Sequence, residues 1–507
     1  MILTAISVVV SILIGFITIA YAFCKWRYGY WRRRGVPYCE PSFPFGDVSE
    51  AFLGKRHLCC VMQDIYSKFG DKPYGGVYIC YSPALLLKDP EIIKEVLVKD
   101  FGSHFQNRVA KGHEKLDPIM CKNLFMLRGT KWRSLRNHMS PTFTSGKMKM
   151  MFNLVQEKGQ LLADVIKRKI PEEGIQTVDF KEMLAEYTTD VISSCAFGIE
   201  TNSLDNPNHE FREMGRKIFH RAIFIRPEVT EFFRKVVWDV VEEREKKKIF
   251  RGDFMDLLIQ LKNTGKIEET DSVEEKVETS SLSYKKSMDP ILKNFKGDDF
   301  VAQIVLFFGA GFETSSTTGS FALFELAANP EVQEKLIKEV DTKLAATGGK
   351  ITYEAVQSMS YLDMVICETL RKYPPLPIID RECMKEYRNE KYNLVIEKGT
   401  AVLIPLFALH RDPKYFPDPE SFIPERFSEE NVKKIPRYAY MPFGEGPRNC
   451  VGARFGALQS KVSLVNILSS FRVSLTDEFK GMKSLPIYPK LFVLGVEGGI
   501  NLIATRR

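Results

Sequence analysis

The stretch PFGEGPRNCVG, residues 442–452, places three glycines and two prolines around a single cysteine, Cys450. Glycine permits backbone conformations closed to other residues and Pro447 fixes φ just before Arg448, so the loop is predicted to present the thiol in a set direction. Residues 453–471 have helical spacing, which predicts that Cys450 lies near a helix N-terminus that lowers the pKa of its thiol. Such a thiolate can be a nucleophile, a redox sulfur or a metal ligand, and a buried inert cysteine is the alternative.

The composition excludes several classes of protein. Formal net charge is +8 over 507 residues, but five of the positive side chains lie between Lys25 and Arg34, which leaves +3 for the rest of the chain. That is not a nucleic-acid-binding signature. The ten cysteines have neither the density of a disulfide scaffold nor a C-x-x-C pair typical of structural zinc.

The N-terminal segment is long and apolar enough to cross a membrane. Residues 2–23 are 22 consecutive residues without a charge, which predicts a single transmembrane helix. A cleaved signal peptide is the alternative, because Ala-Tyr-Ala at 20–22 resembles a cleavage site, but the basic n-region is missing. All nearby positive charge follows the helix, so the positive-inside rule puts everything after Lys25 in the cytoplasm. Residues 24–46 are predicted to form a basic, proline-rich connector, with four aromatic residues at the membrane interface: Trp26, Tyr28, Tyr30 and Trp31.

Residues 47–507 are predicted to form one mainly helical unit with a minor β portion. A run rich in β-branched and aromatic residues around a Ser-Pro turn, 74–89, predicts a strand pair. A long central helix is predicted to start with Asp298 or Asp299 as N-cap and to end at Asn329-Pro330. Three further segments are assigned from their patterns: helices in 150–262, a charged and serine-rich solvated excursion in 263–298, and short strands around a Lys-Gly turn in 391–410.

The cysteine loop carries a family resemblance. Its pattern F-x-x-G-x-R-x-C-x-G resembles the haem-binding fingerprint of the cytochrome P-450 superfamily of haem-thiolate monooxygenases. The matching residues are Phe443, Gly446, Arg448, Cys450 and Gly452. The resemblance implies the cytochrome P-450 fold, a helical bundle around a buried haem b with small β-sheets. It also implies that Cys450 is the axial ligand of the haem iron and that Arg448 pairs with a haem propionate.

Two shorter motifs fit the same family. Glu368 and Arg371, in ETLR, lie at i, i+3 on one predicted helix face, and their apolar flanks indicate burial, so a third partner is expected. PERF at 424–427 resembles the family's second element, which implies that Arg426 completes a structural Glu-Arg-Arg triad on the thiolate side of the haem. Each motif is weak alone, but their order before the cysteine loop makes the set strong.

More residues are candidates for contact with the haem propionates. Trp132 and Arg136 are spaced i, i+4 and share a helix face, and in the family this W-x-x-x-R pair contacts the propionates. An ordinary amphipathic helix is the alternative. Arg381 and, more weakly, Arg108 match other family contacts. Because two propionates do not require four arginines, the order of preference is Arg448, Arg136, Arg381, then Arg108.

The central helix contains the sequence AGFET at 310–314. Glycine weakens a helix interior and Thr314 can bond back to a carbonyl one turn earlier, which predicts a local opening. The resemblance implies that Thr314 holds dioxygen and an ordered water while Glu313 supports proton delivery. The alternative for Thr314 is a polar surface, since more serines and threonines follow. The resemblance also implies a substrate pocket lined by Ile304, Phe307, Phe308 and Ala310, although helix-core packing explains the two phenylalanines nearly as well.

The implied activity is that of a microsomal monooxygenase in the endoplasmic reticulum membrane. The resemblance implies that electrons come from NADPH through a separate flavoprotein reductase, with a small b-type cytochrome as a further partner. No G-x-G-x-x-G signature is present, which predicts that the chain itself binds neither NADPH nor flavin. Five basic residues could form a docking face for the reductase, and a generic solvated surface is the alternative: Lys131, Arg133, Lys433, Lys434 and Arg437.

Several stretches are most similar to insect microsomal enzymes that oxidise lipophilic plant toxins and insecticides, among them AGFETSSTT and YMPFGEGPRNCVG. Two rivals belong to other classes. A haem-thiolate isomerase would not need the Glu-Thr pair, and a non-catalytic haem or lipophile carrier would lack the proton-delivery residues.

Overall fold

The computed structural model describes residues 2–170, 174–219, 227–267, 295–482 and 484–507. Most of these residues are helical, with small sheets at the periphery, so the mainly helical prediction is confirmed. The helices, α1 to α17 in chain order, are Ile2–Tyr28, Ser49–Phe52, Leu58–Lys68, Pro90–Lys94, Pro118–Lys122, Gly129–Met139, Ser145–Lys169, Phe180–Ile192, Glu210–Phe219, Pro227–Lys247, Phe254–Thr264, Asp298–Ala328, Pro330–Ala346, Tyr353–Gln357, Ser360–Lys372, Leu406–Leu409 and Ala453–Leu468. Most of the excursion predicted in 263–298 lies outside the described residues.

Nine strands form three sheets in the described part of the chain. The strands, β1 to β9, are Tyr74–Ile79, Ser82–Leu87, Ile175–Asp179, Ile379–Glu382, Tyr387–Asn389, Leu394–Ile396, Ala401–Ile404, Phe471–Leu475 and Asn501–Arg506. The sheet orders are β1-β2-β7-β4, β3-β9-β8 and β5-β6, and only the β2–β7 pair is parallel. The predicted strand pair in 74–89 is confirmed. The two strands predicted around the Lys-Gly turn exist as β6 and β7, but they belong to different sheets, and the segment ends in the short helix α16.

The central helix α12 is buried on most faces, as its sequence predicts. It begins at Asp298 with Gly297 as N-cap, so the two aspartates lie in the first turn rather than at the cap, where they still favour the positive end of the helix dipole. It ends before Asn329, and Pro330 starts the next helix. Helix α17, directly after the cysteine loop, packs against α12, and the Phe307 and Phe455 ring centroids are 5.2 Å apart.

The N-terminal helix α1 extends five residues beyond the predicted segment, to Tyr28. It is the one helix of the described chain that is long and apolar enough to cross a membrane, by length and composition. The predicted aromatic belt is wrong for three of its four members. Trp26 is 60% exposed, but Tyr28, Tyr30 and Trp31 are buried in the hydrophobic cluster of the β1-containing sheet.

The reason is a tertiary contact that no local pattern predicts. The Trp31 ring lies against Gly76, where an added Cβ would overlap the indole, and its Nε1 donates to the Val77 carbonyl at 3.2 Å. The Trp31 amide donates to the Tyr78 hydroxyl at 3.1 Å. Residues of the predicted connector therefore contribute to the hydrophobic cluster of this sheet.

Candidate functional site

The cysteine loop is closed by backbone hydrogen bonds. The Cys450 amide donates to the Phe443 carbonyl at 2.8 Å, and the Asn449 amide donates to the Gly446 carbonyl at 3.1 Å. Gly446 has φ +74°, and a Cβ there would overlap the Leu97 carbonyl oxygen. Both the conformation and the close approach therefore require glycine.

The Cys450 thiol is held in an enclosed environment. Burial raises its pKa above the usual thiol value, and the Gly452 amide and the charges of Arg136 and Arg108 oppose that effect. The predicted lowering at the helix N-terminus is thus outweighed by burial. Cys450 nevertheless has exposed surface, and Ala310 is the one exposed residue of α12.

Side chains engage three successive backbone carbonyls of α12, those of residues 310–312. Thr314 Oγ1 donates to the Ala310 carbonyl at 2.6 Å. Gln459 Nε2, from α17, donates to the Gly311 carbonyl at 2.6 Å, and Thr188 Oγ1, from α8, donates to that of Phe312 at 2.9 Å. The predicted back-bond of Thr314 is therefore present, and two neighbouring helices support the same turn.

Glu313 pairs with a residue that the sequence did not indicate. Lys181 Nζ, in the first turn of α8, lies 2.8 Å from Glu313 Oε1 and also bonds the Ser316 and Thr317 hydroxyls at 3.0 and 3.3 Å. Both charged side chains are mostly buried. Lys181 is 132 residues from its partner, and no motif marks it.

Arg448 is committed to backbone carbonyls. It donates to those of Gln106 at 2.6 Å, Phe125 at 3.2 Å and Leu127, and its guanidinium lies 4.8 Å from the Trp132 ring centroid. Burial is the main reason that its pKa falls to about 9, with the nearby Arg108 charge second.

The other three predicted arginines differ in how fully they are bonded. Arg136 donates to the carbonyl and side-chain oxygens of Asn449 at 2.8 and 2.7 Å. Arg108 pairs with Asp380 at 2.9 Å, and Arg381 donates to the Asp380 carbonyl at 2.7 Å. The Nε atoms of Arg108 and Arg381 are buried and have no hydrogen-bond partner among the described residues. Burial and the Arg108 charge lower the pKa of Arg381 to about 9.

The structure brings Glu368, Arg371 and Arg426 together. Arg371 holds the Glu368 carboxylate with two bonds, from Nε at 2.8 Å and Nη2 at 2.9 Å, and neither side chain is exposed. Arg426 Nε approaches the same carboxylate at 3.3 Å, and the Ile423 amide donates to it at 2.9 Å. Arg371 also donates to the His410 carbonyl at 3.1 Å, which ties the group to the chain beyond α16.

Comparison with known proteins identifies the family. The family model described as Cytochrome P450 matches residues 50–495. The chain belongs to the cytochrome P450 family. Cytochrome P450 6k1 of Blattella germanica is 46% identical over 97% of this chain and 95% of its own length. Cytochrome P450 6j1 of the same organism is 41% identical over 99% and 98%, and probable cytochrome P450 6d5 of Drosophila melanogaster is 38% identical over 95% and 97%.

Membership makes this cytochrome P450 a haem-thiolate monooxygenase whose cofactor is haem b and whose co-substrates are O2 and NADPH-derived electrons. The residues fit such a group. Haem carries two carboxylates, and Arg381 and Arg108 each offer a buried donor without a partner among the described residues. Buried cations with few anions nearby are costly, so an anionic group beside these two arginines is chemically appropriate.

The residues predicted to line the substrate pocket differ in their exposure. Ala310 is exposed, but Ile304, Phe307 and Phe308 are buried. Phe307 stacks on Phe254 at 4.2 Å between ring centroids. Phe308 packs within 6 Å of four other rings: Phe197, Phe211, Phe233 and Phe312. Core packing, the alternative, fits the contacts of both phenylalanines, and their place in the pocket stays a prediction.

Proposed function

We propose that this P450 inserts one oxygen atom from O2 into lipophilic small molecules, with Cys450 as the ligand of the haem iron. The observation that carries the proposal is the position of Cys450, on a loop closed by its own backbone hydrogen bonds, where the charges of Arg136 and Arg108 act on its sulfur. When bound, thiolate-ligated haem activates dioxygen and promotes O–O cleavage.

The arginines near the cysteine loop would bind and orient the cofactor. Arg381 and Arg108 would bind the propionates, because each has a buried donor to spare. Arg448 and Trp132 hold the loop from the side, through the carbonyls of residues 106–127 and the cation–π contact. The buried group of Glu368, Arg371 and Arg426 stabilises the chain on the thiolate side.

Protons would reach the reaction through the AGFET turn of α12. The Thr314 hydroxyl carries an exchangeable proton at this turn, and its hydrogen bond to the Ala310 carbonyl positions it. Glu313 supplies protons toward it, and Lys181 keeps the carboxylate in place 2.8 Å away. The exposed surface of Ala310 gives dioxygen and water room beside the hydroxyl.

Helix α1 would anchor the enzyme as a single pass in the endoplasmic reticulum membrane, with the catalytic unit in the cytoplasm. The supporting observations are its exposed apolar surface and the basic residues that follow it. From that side an NADPH-dependent flavoprotein reductase would deliver electrons, with a small b-type cytochrome as a second donor. Lipophilic xenobiotics such as plant toxins and insecticides, or endogenous lipophiles, are the proposed substrates.

Replacing Cys450 by alanine tests the ligand. The ferrous–CO complex of the wild-type protein is expected to show the red-shifted absorption typical of a thiolate ligand, and Cys450→Ala is expected to lose it. Cys121→Ala, at a half-buried cysteine on the short helix α5, serves as the matched control and should keep it. An unchanged spectrum in Cys450→Ala would refute the assignment of Cys450 as the iron ligand.

Turnover with added reductase separates the proposal from its rivals. A monooxygenase consumes NADPH and O2 when a lipophilic substrate is oxidised, whereas an isomerase needs neither and a carrier turns over nothing. Thr314→Ala is expected to raise peroxide release relative to product, and Thr314→Ser should restore the ratio. A constant product yield per NADPH in Thr314→Ala would contradict the role of the hydroxyl.

A further inference from the structure

Two adjacent cysteines and a histidine form a cluster at the N-terminus of α3. Cys59 Sγ lies 2.9 Å from His57 Nδ1 and 3.8 Å from Cys60 Sγ. His57 and Cys59 are buried, whereas Cys60 is half-buried and therefore within reach of solvent. The proposed oxygen chemistry uses none of these side chains.

The position of the His57 proton follows from its partners. Nε2 lies 2.9 Å from the Leu491 carbonyl oxygen, which can only accept, so Nε2 carries the proton and Nδ1 presents a lone pair. Burial lowers the pKa of His57, so the ring is neutral at pH 7. Nδ1 accepts from the Cys59 amide at 3.1 Å and faces the Cys59 thiol. The ring therefore offers the sulfur no proton, and Cys59 depends on its own.

Cys60 is placed to be a thiolate. Burial raises the pKa of the Cys59 thiol, so Cys59 stays protonated and can donate to the Cys60 sulfur. This bond is the main reason that the pKa of Cys60 falls to about 7; burial opposes it, and the charges of Arg56 and Arg411 add to the fall. Asp64 acts in the other direction, but its carboxylate is bonded to Arg56 at 2.8 Å. Cys60 also lies in the first turn of an 11-residue helix, where the helix dipole favours an anion.

Cys121 has the opposite surroundings. It is also half-buried, on α5, but burial and the charges of Asp117 and Glu114 raise its pKa. The thiolate, not the thiol, is the nucleophile. Two half-buried cysteines of one chain are therefore expected to differ in reactivity at neutral pH.

We propose that Cys60 is a modification site that exchanges with small disulfides such as oxidised glutathione, and that Cys59 is the hydrogen-bond donor that keeps it nucleophilic. The Cys60 thiolate attacks one sulfur of the disulfide and forms a mixed disulfide with it. The S–S bond of the reagent breaks, and its other half leaves as a thiolate that takes up a proton. The Cys60 sulfur is oxidised and the leaving sulfur is reduced, so the exchange needs no further oxidant.

The adduct on Cys60 should persist. An internal disulfide would require Cys59 to displace the small thiol, but neighbouring Cα atoms are about 3.8 Å apart, below the ~4.4 Å that a disulfide normally spans. Both residues also lie in the regular backbone of α3. An external thiol is therefore required to remove the adduct.

The test compares two tryptic peptides of the full-length, haem-loaded protein. Residues 57–68 contain Cys60 and residues 116–122 contain Cys121. After incubation with oxidised glutathione and acid quenching, mass spectrometry measures the rate of adduct formation in each peptide. At pH 7 Cys60 is expected to react about fivefold faster, because its larger thiolate fraction outweighs the lower nucleophilicity of a low-pKa thiolate. Between pH 7 and 9 the Cys60 rate should rise only about twofold, whereas the Cys121 rate should rise at least about tenfold.

Variants test the role of the neighbouring thiol. Cys59→Ala removes the donor and Cys59→Ser keeps one. The pH at which the Cys60 rate reaches its plateau should therefore rise in Cys59→Ala and stay close to the wild-type value in Cys59→Ser. Cys60→Ser should abolish the adduct in residues 57–68.

The wild-type pH dependence is decisive without any variant. Parallel pH dependences of Cys60 and Cys121 would overturn the proposal, as would an adduct on Cys59 or a disulfide between Cys59 and Cys60. An unchanged plateau in Cys59→Ala would exclude Cys59 as the donor. None of these readouts depends on the proposed oxygen chemistry, so the two proposals can fail separately.

Discussion

Replacing Glu368 by glutamine is expected to reduce the free energy of unfolding by about 3–5 kcal/mol, the usual cost of breaking a buried ion pair. The carboxylate is fully buried and accepts two bonds from Arg371, at 2.8 and 2.9 Å, and one from the Ile423 amide at 2.9 Å. Glutamine keeps the shape but has one acceptor oxygen, and it leaves the charges of Arg371 and Arg426 without a carboxylate.

The chain offers a matched control. Glu334 accepts two bonds from Arg472 at 2.7 and 3.1 Å, but the two side chains are 53% and 48% exposed. Water screens such a pair, so Glu334→Gln is expected to cost about 0.2–1 kcal/mol. Urea titrations of the haem-loaded protein, followed by helical circular dichroism and by the thiolate-type CO absorption, measure both. If the two variants lose equal stability, burial does not decide the cost and the reasoning is refuted.

Three further changes test other parts of the structure. Gly446→Ala should reduce the free energy of unfolding well beyond the ~1 kcal/mol expected for a positive-φ glycine in open space, because the added Cβ meets backbone. Gly349, at φ +82° with nothing near its Cβ position, is the control. Equal losses for Gly446→Ala and Gly349→Ala in a urea titration would exclude the overlap. Burial lowers the pKa of His410 to about 3, so between about pH 6.5 and 3 the unfolded chain binds more protons than the folded chain. The free energy of unfolding should therefore fall as the pH drops through this range, and His410→Gln should flatten the dependence. An unchanged dependence in His410→Gln would assign it to other groups. Lys181→Met removes the cation 2.8 Å from Glu313 and should raise peroxide release per NADPH, whereas Lys181→Arg should restore coupling; no change in peroxide would contradict its role.

Features carried by short-range pattern were predictable from the sequence. The β1–β2 pair, the central helix α12 and the helix after Cys450 follow from alternation, helical spacing and a proline stop. The pairing of Glu368 with Arg371 follows from the same logic, since i, i+3 spacing puts the two on one face of α15.

Features that depend on partners far away in the sequence were not predictable. The burial of Trp31 depends on a glycine in β1, and the bonds of Arg136 to Asn449 span 313 residues. Phe307 and Phe308 were ambiguous because an aromatic residue on a central helix suits a pocket and a core equally. The pKa of Cys450 was predicted in the wrong direction, since burial depends on the whole fold and the helix dipole only on the nearest turn.

Trp31 also decides how the enzyme can be shortened. Its ring lies directly against the backbone of Gly76, which leaves no room for a side chain at that position of β1. A protein that starts after Trp31 would lack the indole and expose the backbone of β1 at Gly76 to solvent. A protein that starts at Cys24 would lose most of the apolar helix but keep Trp31 in place. Because Trp31 attaches the end of the N-terminal helix to the β1-containing sheet, the two are rigidly connected. A tilt of that helix would therefore be transmitted directly to the sheet.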